Sequence, residues 1–311
     1  MRILLTGASG FVGKAVLKTA QQRGIKIRPV YRLNDLAKGQ PEAVLLPGMN
    51  RATDWSQALL GVDVVIHAAA RSHIMREVTV DNLAEYRIVN VEGTVKLARM
   101  AAAAGVRRFV FISSIKVNGE VTEPGRPFTA DDPPAPDDAY GLSKAEAEMQ
   151  LRQVAQEMGM EVTIIRPPLI YGSGVKGNFG TLISLVRRGL PLPLGGVTYN
   201  RRSLVGIDNL VDLLLLCAYH PKAANQTFLI SDGEDLSTTE LLSRIGNALR
   251  KPVCLLWVPV GIISFIAGLF GKKVISQRLL CSLQVDIYKT CDLLNWKPSV
   301  SVDEGLRRAM D

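Results

Sequence analysis
MRILLTGASGFVG, Met1 to Gly13, sets the architecture of the rest of the chain. Arg2-Ile-Leu-Leu-Thr6 reads as a short buried strand. It runs straight into Gly7, Gly10 and Gly13, and from Phe11 and Val12 the chain continues as an amphipathic helix. A strand, a glycine turn and a helix start let the backbone approach a pyrophosphate, and the helix N-terminus offers the anion unpaired N–H groups. A plain glycine turn would share the spacing Gly-x-x-Gly-x-x-Gly, which differs from the commoner Gly-x-Gly-x-x-Gly. The strand and helix on either side favour dinucleotide binding.

Outward from that turn, the 311 residues are 47% hydrophobic and 21% charged, enough for one large core or two modest ones. The net charge of +8 would suit nucleic acid, but no run of Lys and Arg interleaved with aromatics marks a groove-reading surface, so no nucleic acid is expected. A small anionic ligand with several phosphates is the more economical partner. Cys217, Cys254, Cys281 and Cys291, with His67, His73 and His220, are scattered without ligand spacing, which predicts neither a metal nor a disulfide framework. The chain enters a strand at once, with no basic region and apolar signal core, and the expectation is a cytoplasmic protein. Val253 to Gly271 is an uncharged run of membrane-span length. Pro259 interrupts it and lysines bracket it, so it reads as a buried helix of a second lobe, with peripheral membrane contact and a true span as alternatives.

In chain order, Ile25 to Tyr31 has the alternation of a second strand, whose end would carry an acidic residue if the adenosine ribose were bare. Tyr31-Arg32 stands there, with Asp35 as a late substitute. A guanidinium suits a 2′-phosphate, which favours NADP slightly over NAD. Glu42 to Leu46 reads as a weak strand, Asp54 to Gly61 as a capped helix, and Val62 to His67 as a buried strand. Ala68 and Ala69 follow, small enough to leave room for a cofactor at the strand's carboxyl end, and His67 reads as structural. Asp81 to Gly105 has a helical pattern with Asn90 in its middle, and Arg108 to Ser114 is a buried strand with its polar residues at the ligand end. Strands alternate with helices throughout, which predicts an α/β doubly wound parallel sheet.

The Pro- and Asp-rich loop between Glu123 and Asp138 delivers the chain to Tyr140-Gly-Leu-Ser-Lys144, at the start of a helix running to Met158. Tyr140 and Lys144 share one helix face. A tyrosine near pKa 10 is a poor base at neutral pH. An ammonium one turn away, helped by a cofactor cation, stabilises its phenolate, so that it can move a proton while nicotinamide moves a hydride. Ser114 is placed to hydrogen-bond the same substrate oxygen. Tyr-x-x-x-Lys occurs by chance in many helices; its occurrence in this order after a glycine turn is the informative feature.

These residues resemble the extended short-chain dehydrogenase/reductase superfamily, in its nucleotide-sugar epimerase and dehydratase branch. The likeness covers Thr6 to Gly13, Ser113-Ser114, Tyr140 to Lys144, Arg166 to Gly172, Arg202 to Asn209 and Leu294 to Pro298. It implies a Rossmann-type domain over 1–165, joined by some later segments, and a smaller C-terminal α/β lobe, mainly 166–311, for the nucleotide sugar. It further implies a catalytic triad of Ser114, Tyr140 and Lys144, with Lys144 also holding the nicotinamide ribose. By the same likeness Asp54 approaches the adenine, Pro167 lines the nicotinamide end, and Asn178, Arg202 and Arg278 contact the substrate. Two arginines suit a diphosphate. The resemblance also implies a homodimer formed through the helices at 81–105 and 145–158.

Departures from the family pattern narrow the expected activity. The dehydratases of the branch carry Asp-Glu directly after the Ser/Thr, and Ile115-Lys116 stand there, which argues against water elimination. Chemistry at C4 of a UDP-sugar remains. The epimerases of the branch usually have an acid at Tyr31-Arg32 and often an aromatic at Asn118. Both departures tilt the expectation toward a reductase of UDP-4-keto-6-deoxy-N-acetylhexosamine in O-antigen synthesis. A UDP-hexose 4-epimerase holding NAD is the alternative, and a non-catalytic dinucleotide sensor or scaffold is the reading from another class.

Overall fold
The computed structural model describes residues 1–32, 42–72, 82–271 and 273–310, without the side chains of 273–275. Strand β1 (Arg2–Thr6) leads through the glycine turn into α1 (Phe11–Gln22), followed by β2 (Lys26–Tyr31) and the short β3 (Val44–Leu45). Next come α2 (Ser56–Leu59), β4 (Val64–His67), α3 (Asn82–Tyr86), a π-helical stretch Arg87–Gly93 and α4 (Thr94–Ala103). After β5 (Arg108–Ile112) and the long loop, α5 (Ala139–Met158), β6 (Glu161–Arg166), β7 (Leu169–Tyr171) and α6 (Gly177–Arg187) follow. The chain continues as β8 (Arg202–Gly206), α7 (Ile207–Tyr219), β9 (Thr227–Leu229) and β10 (Asp235–Leu236). Helices α8 (Thr238–Ala248), α9 (Val260–Leu269), α10 (Lys273–Leu280), α11 (Tyr288–Leu294) and α12 (Val302–Met310) complete it.

The main sheet has seven parallel strands in the order β3-β2-β1-β4-β5-β6-β9. From β1 the chain winds outward to β2 and β3, then crosses back to β4 and winds the other way. That reversal sets the carboxyl ends of β1 and β4 side by side, Thr6 opposite His67, and opens a crevice there. Because side chains alternate along a strand, each strand feeds two cores. Ile3, Leu5, Ile66 and Val110 pack with Val16 of α1 and Leu210 and Leu214 of α7. Leu4, Val65, Phe109 and Phe111 pack on the other face with Leu97 of α4 and Leu151 of α5. Ala101 lies in that second core, which turns part of the alanine run inward.

A second sheet, β10-β8-β7, pairs β7 with β8 in parallel and β10 with β8 antiparallel. Its core gathers Tyr171, Phe179, Leu204, Leu242 and Ile245. The segment 282–286 is stitched to two distant parts of the chain. Thr122 N–H donates to Ser282 O (2.9 Å) and Phe128 N–H to Gln284 O (2.9 Å), while Leu283 exchanges bonds with Arg201 and Ser203.

Two expectations are corrected here. The run 253–271 is not a buried helix. Its residues 254–256 lie extended along Leu192 to Gly195, with Leu192 N–H on Cys254 O and Gly195 N–H on Leu256 O, and Pro259 then caps α9, none of whose residues is buried. Among the described residues no helix is long and apolar enough to cross a membrane. The helix expected over 81–105 is interrupted by the π turn, a widened geometry common at functional positions. Within that turn the buried Asn90 amide donates to Ser143 Oγ and Arg71 O, both at 3.0 Å.

Beneath the carboxyl edge of the sheet lies a buried ion pair. Arg166 at the end of β6 donates through Nε (2.9 Å) and Nη2 (2.7 Å) to Glu148 of α5, and the two side chains are 2% and 0% exposed. Arg166 Nη1 also donates to Asn118 Oδ1 (2.9 Å), and Ser113 Oγ donates to Glu148 Oε1 (2.6 Å). Removing one partner leaves a charge in a low-dielectric interior. Arg166→Met is expected to lower the unfolding free energy by about 3–5 kcal/mol, and adding Glu148→Leu to recover part of that loss; urea denaturation of the three proteins measures both.

Candidate active site
The three glycines of the first turn divide the work between packing and access. Gly7 has φ +70°, and a Cβ there would lie 2.7 Å from the backbone of Ala68 and Ala69. A Cβ on Gly13 would lie 2.1 Å from Gly7 O. Both positions therefore exclude side chains, so that β1, the end of β4 and the first turn of α1 can press together. Gly10 caps α1 without a side-chain hydrogen bond, which leaves the first amides of the helix, from Phe11 onward, directed at the crevice. The Phe11 ring turns away toward Gly172. This side-chain-free cradle fits the pyrophosphate of a dinucleotide, with Ala68 and Ala69 forming its far wall.

Across the crevice, Ser114 leaves β5 and caps a short 3-10 turn, its Oγ accepting from Lys116 N–H at 3.3 Å. Ile115 N–H donates to Pro167 O (3.0 Å), which places Pro167 beside that turn. Helix α5 starts against the same turn because residue 141 is glycine: a Cβ there would lie 2.7 Å from Lys116 O. Asp138 caps the helix, its Oδ1 accepting from Gly141 N–H at 2.7 Å. Tyr140 thus sits in the first turn of α5, half-buried and edge-on to Tyr86 with ring centroids 5.8 Å apart. One turn on, Lys144 is buried over the Phe111 ring and donates to Ile112 O at 2.6 Å.

The electrostatics run opposite to the expectation of a loosened tyrosine proton. Burial, then the Asp138 carboxylate and Tyr86, push the Tyr140 hydroxyl above its ordinary value. Lys144 is pushed down to about 7 by burial, against the pull of Glu148. The Lys144 ammonium is held by a carbonyl of β5, and the charge acting most strongly on Tyr140 is negative. A positive charge arriving in the crevice would shift this balance toward the phenolate.

Toward the second sheet a charged rim continues from the tyrosine. Lys116 Nζ donates to both Asp138 and Glu120, and Arg278 lies 3.8 Å from Glu120. Arg202, donating to Cys281 O at 3.0 Å, has its pKa lowered by burial, with Arg278 adding to the effect. The structure therefore brings Arg202 and Arg278 together around Glu120. Asn178 stands apart, exposed in the first turn of α6.

Asp54 turns its carboxylate onto its own chain, accepting from Ser56 N–H (3.0 Å) and Ser56 Oγ (2.6 Å), so that it closes a turn just before α2. Arg32 is exposed just past β2, and Asp35 lies outside the described residues, as does His73. Asn118, which stands where the epimerases of the branch often have an aromatic, is buried, donating to Thr129 O (2.9 Å) and accepting from Arg166. Sequence reasoning missed the positioning roles of Gly141 and Asp138 and the rim ions Lys116 and Glu120. The one available signal was Asp138 as a cap immediately before the helix.

His67 is structural, as expected. It is fully buried, with Nδ1 2.7 Å from Thr6 Oγ1 and Nε2 3.0 Å from Thr94 Oγ1. Burial, with a smaller effect from Lys144, takes its pKa from 6.5 to about 3. Between these values the unfolded chain binds more protons, so the stability His67 contributes is complete above pH 6.5 and is lost as pH falls toward 3. Replacing His67 with Gln is expected to flatten the acid side of the stability curve. Urea midpoints taken at falling pH should show the wild-type advantage shrinking below neutrality.

Over residues 3–231 the chain matches the NAD dependent epimerase/dehydratase family. It is 47% identical to a UDP-glucose 4-epimerase of Vibrio cholerae over 306 residues, covering 98% of this chain and 93% of that protein. The solved UDP-glucose 4-epimerase of Thermotoga maritima, which holds UDP-glucose, superimposes with a TM-score of 0.77 at 23% identity, over 100% of this chain and 97% of that one. The UDP-glucuronic acid 4-epimerase of Bacillus cereus, in complex with NAD, gives a TM-score of 0.80 at 20% identity, over 100% and 98%. At these identities the two solved structures share the fold.

Proposed function
The chain belongs to the NAD dependent epimerase/dehydratase family, within the extended short-chain dehydrogenase/reductases, and we propose that it is a UDP-hexose 4-epimerase that keeps NAD through turnover. The observation carrying this reading is the 47% identity to a UDP-glucose 4-epimerase along nearly the whole chain. The site is consistent with it. One tyrosine is available for proton transfer, and Ile115-Lys116 occupy the place of the Asp-Glu pair that elimination requires.

In this reading the dinucleotide, when bound, takes up and returns a hydride at the sugar C4. The chain's own residues do the rest. The amides after Gly10 receive the pyrophosphate, Ala68 and Ala69 leave it room, and Pro167 borders the nicotinamide end. Tyr140 moves the proton of the C4 hydroxyl, Ser114 hydrogen-bonds the same oxygen, and Lys144 orients the nicotinamide ribose. Arg202 and Arg278 offer planar donors to the UDP diphosphate.

A second reading, reduction of a UDP-4-keto-6-deoxy-N-acetylhexosamine with NADPH in O-antigen synthesis, is favoured by one residue. Arg32 is exposed past β2 where a ribose-binding acid would otherwise stand. Asn118, the other departure from the epimerase pattern, is held between Thr129 and Arg166.

Mass spectrometry and absorbance of the purified protein, followed by turnover assays, separate the two. The epimerase is expected to arrive with NAD bound and to interconvert UDP-glucose and UDP-galactose with no added coenzyme. Protein that arrives empty and consumes one NADPH per 4-keto sugar would establish the reductase. Under either reading Tyr140→Phe is expected to lower kcat by about 10²–10⁴-fold, the usual worth of a positioned acid or base, while the affinity for the dinucleotide changes little. Near-normal turnover in that variant would remove Tyr140 from the proton path.

A further inference from the structure
Between Glu240 and Asp286 the sequence contains no acidic residue, whereas Arg250, Lys251, Lys272 and Lys273 are basic. Those cations bracket the most apolar stretch of the chain, and the structure turns it outward. Trp257 is 74% exposed, and along α9 Phe265 is 68% and Leu269 70%, with Phe270 at 74% just beyond. Ile262 and Ile266 are exposed beside them, and Ile263 is the side chain that reaches the third core. Soluble proteins scatter such residues singly; gathered in one patch they mark a docking surface.

The patch is rigidly mounted. Residues 254–256 exchange backbone hydrogen bonds with Leu192 and Gly195. A Cβ on Gly196 would lie 2.4 Å from Val258 O, so the two segments are in direct backbone contact. Lys251 Nζ donates to Arg187 O at 3.1 Å, which brings the exposed end of α6, with Arg187 and Arg188, to the same basic margin.

We propose that this face docks the protein on an anionic lipid bilayer. Helix α9 lies in the plane of the interface, Phe265, Leu269 and Phe270 enter the acyl boundary, Trp257 sits at headgroup depth, and the basic margin of Arg187, Arg188, Arg250 and Lys251 meets lipid phosphates. Length decides between lying on and crossing: ten helical residues span about 15 Å, half of a hydrocarbon layer about 30 Å thick. Charge decides between a bilayer and a second copy. A two-fold contact through this face would bring the basic margins of both copies onto one interface, whereas anionic headgroups complement them.

The test is sedimentation of the full chain with vesicles of phosphatidylcholine alone and of phosphatidylcholine mixed with phosphatidylglycerol. The protein is expected to pellet with the mixed vesicles, less so as salt is raised. Partition is expected to fall more than about tenfold in Phe265→Ser/Leu269→Ser, since each side chain loses its transfer free energy, and to fall also in Lys251→Glu. An unchanged urea midpoint in these variants shows that they fold. No pelleting with anionic vesicles overturns the proposal, as does pelleting that the double substitution leaves intact. A concentration-dependent dimer in sedimentation velocity that the same double substitution abolishes would also overturn it, giving the patch to a second copy.

Discussion
The ion pair between Glu148 and Arg166 is the constraint around which the site is assembled. It joins the middle of α5 to the end of β6, and its remaining hydrogen-bonding capacity takes Arg152 from the next turn of α5, Ser113 just past β5 and Asn118 from the turn beyond. Every element that delivers a candidate catalytic group is thereby fixed to one buried charge centre. Ser114 follows Ser113, Lys144 lies one turn before Glu148, and Pro167 follows Arg166. The free energy spent on burying two ions is offset by bidentate geometry and by filling the other lone pairs. In exchange, the relative heights of α5 and the sheet are set by hydrogen bonds of fixed length, which apolar packing alone would leave softer.

Much of the sheet was legible because its strands are buried on both faces and read as unbroken apolar runs between turn residues. Leu4 and Ile3 serve opposite cores, yet both had to be apolar, so the strand announced itself. Tyr140 and Lys144 could be paired from sequence because four residues make one helical turn, whereas Ser114 was reached from its place at the end of the preceding strand. What sequence did not disclose are the contacts between distant residues. Nothing local marks Asn118 as the partner of Arg166, or Gly141 as the point where α5 meets the Lys116 carbonyl. The run 253–271 failed for a related reason: its composition matches a core helix, and only its backbone pairing with residues 192–195 shows that it lies along the outside of the fold.

The ionisable groups of the crevice are held in tension. Asp138 serves the fold as a cap for α5 and as a partner for Lys116, and the same carboxylate makes the Tyr140 proton harder to remove. Lys144, buried to the point where its charge is balanced near neutrality, faces a carbonyl. Such opposed environments are typical of sites where a ligand's own charge completes the electrostatics.

The pairing of segment 282–286 with residues 122–128 also bears on how the protein comes into being. Gln284 N–H reaches Thr122 Oγ1 across 162 positions of sequence, and that loop is the passage from Ser114 to Tyr140. During synthesis the nucleotide-facing strands can form early from contacts between chain neighbours. The passage carrying the tyrosine acquires its partner segment only after most of the polypeptide has left the ribosome. Closing so long a loop is entropically slow, so the site is expected to mature last, after the sheet that supports it.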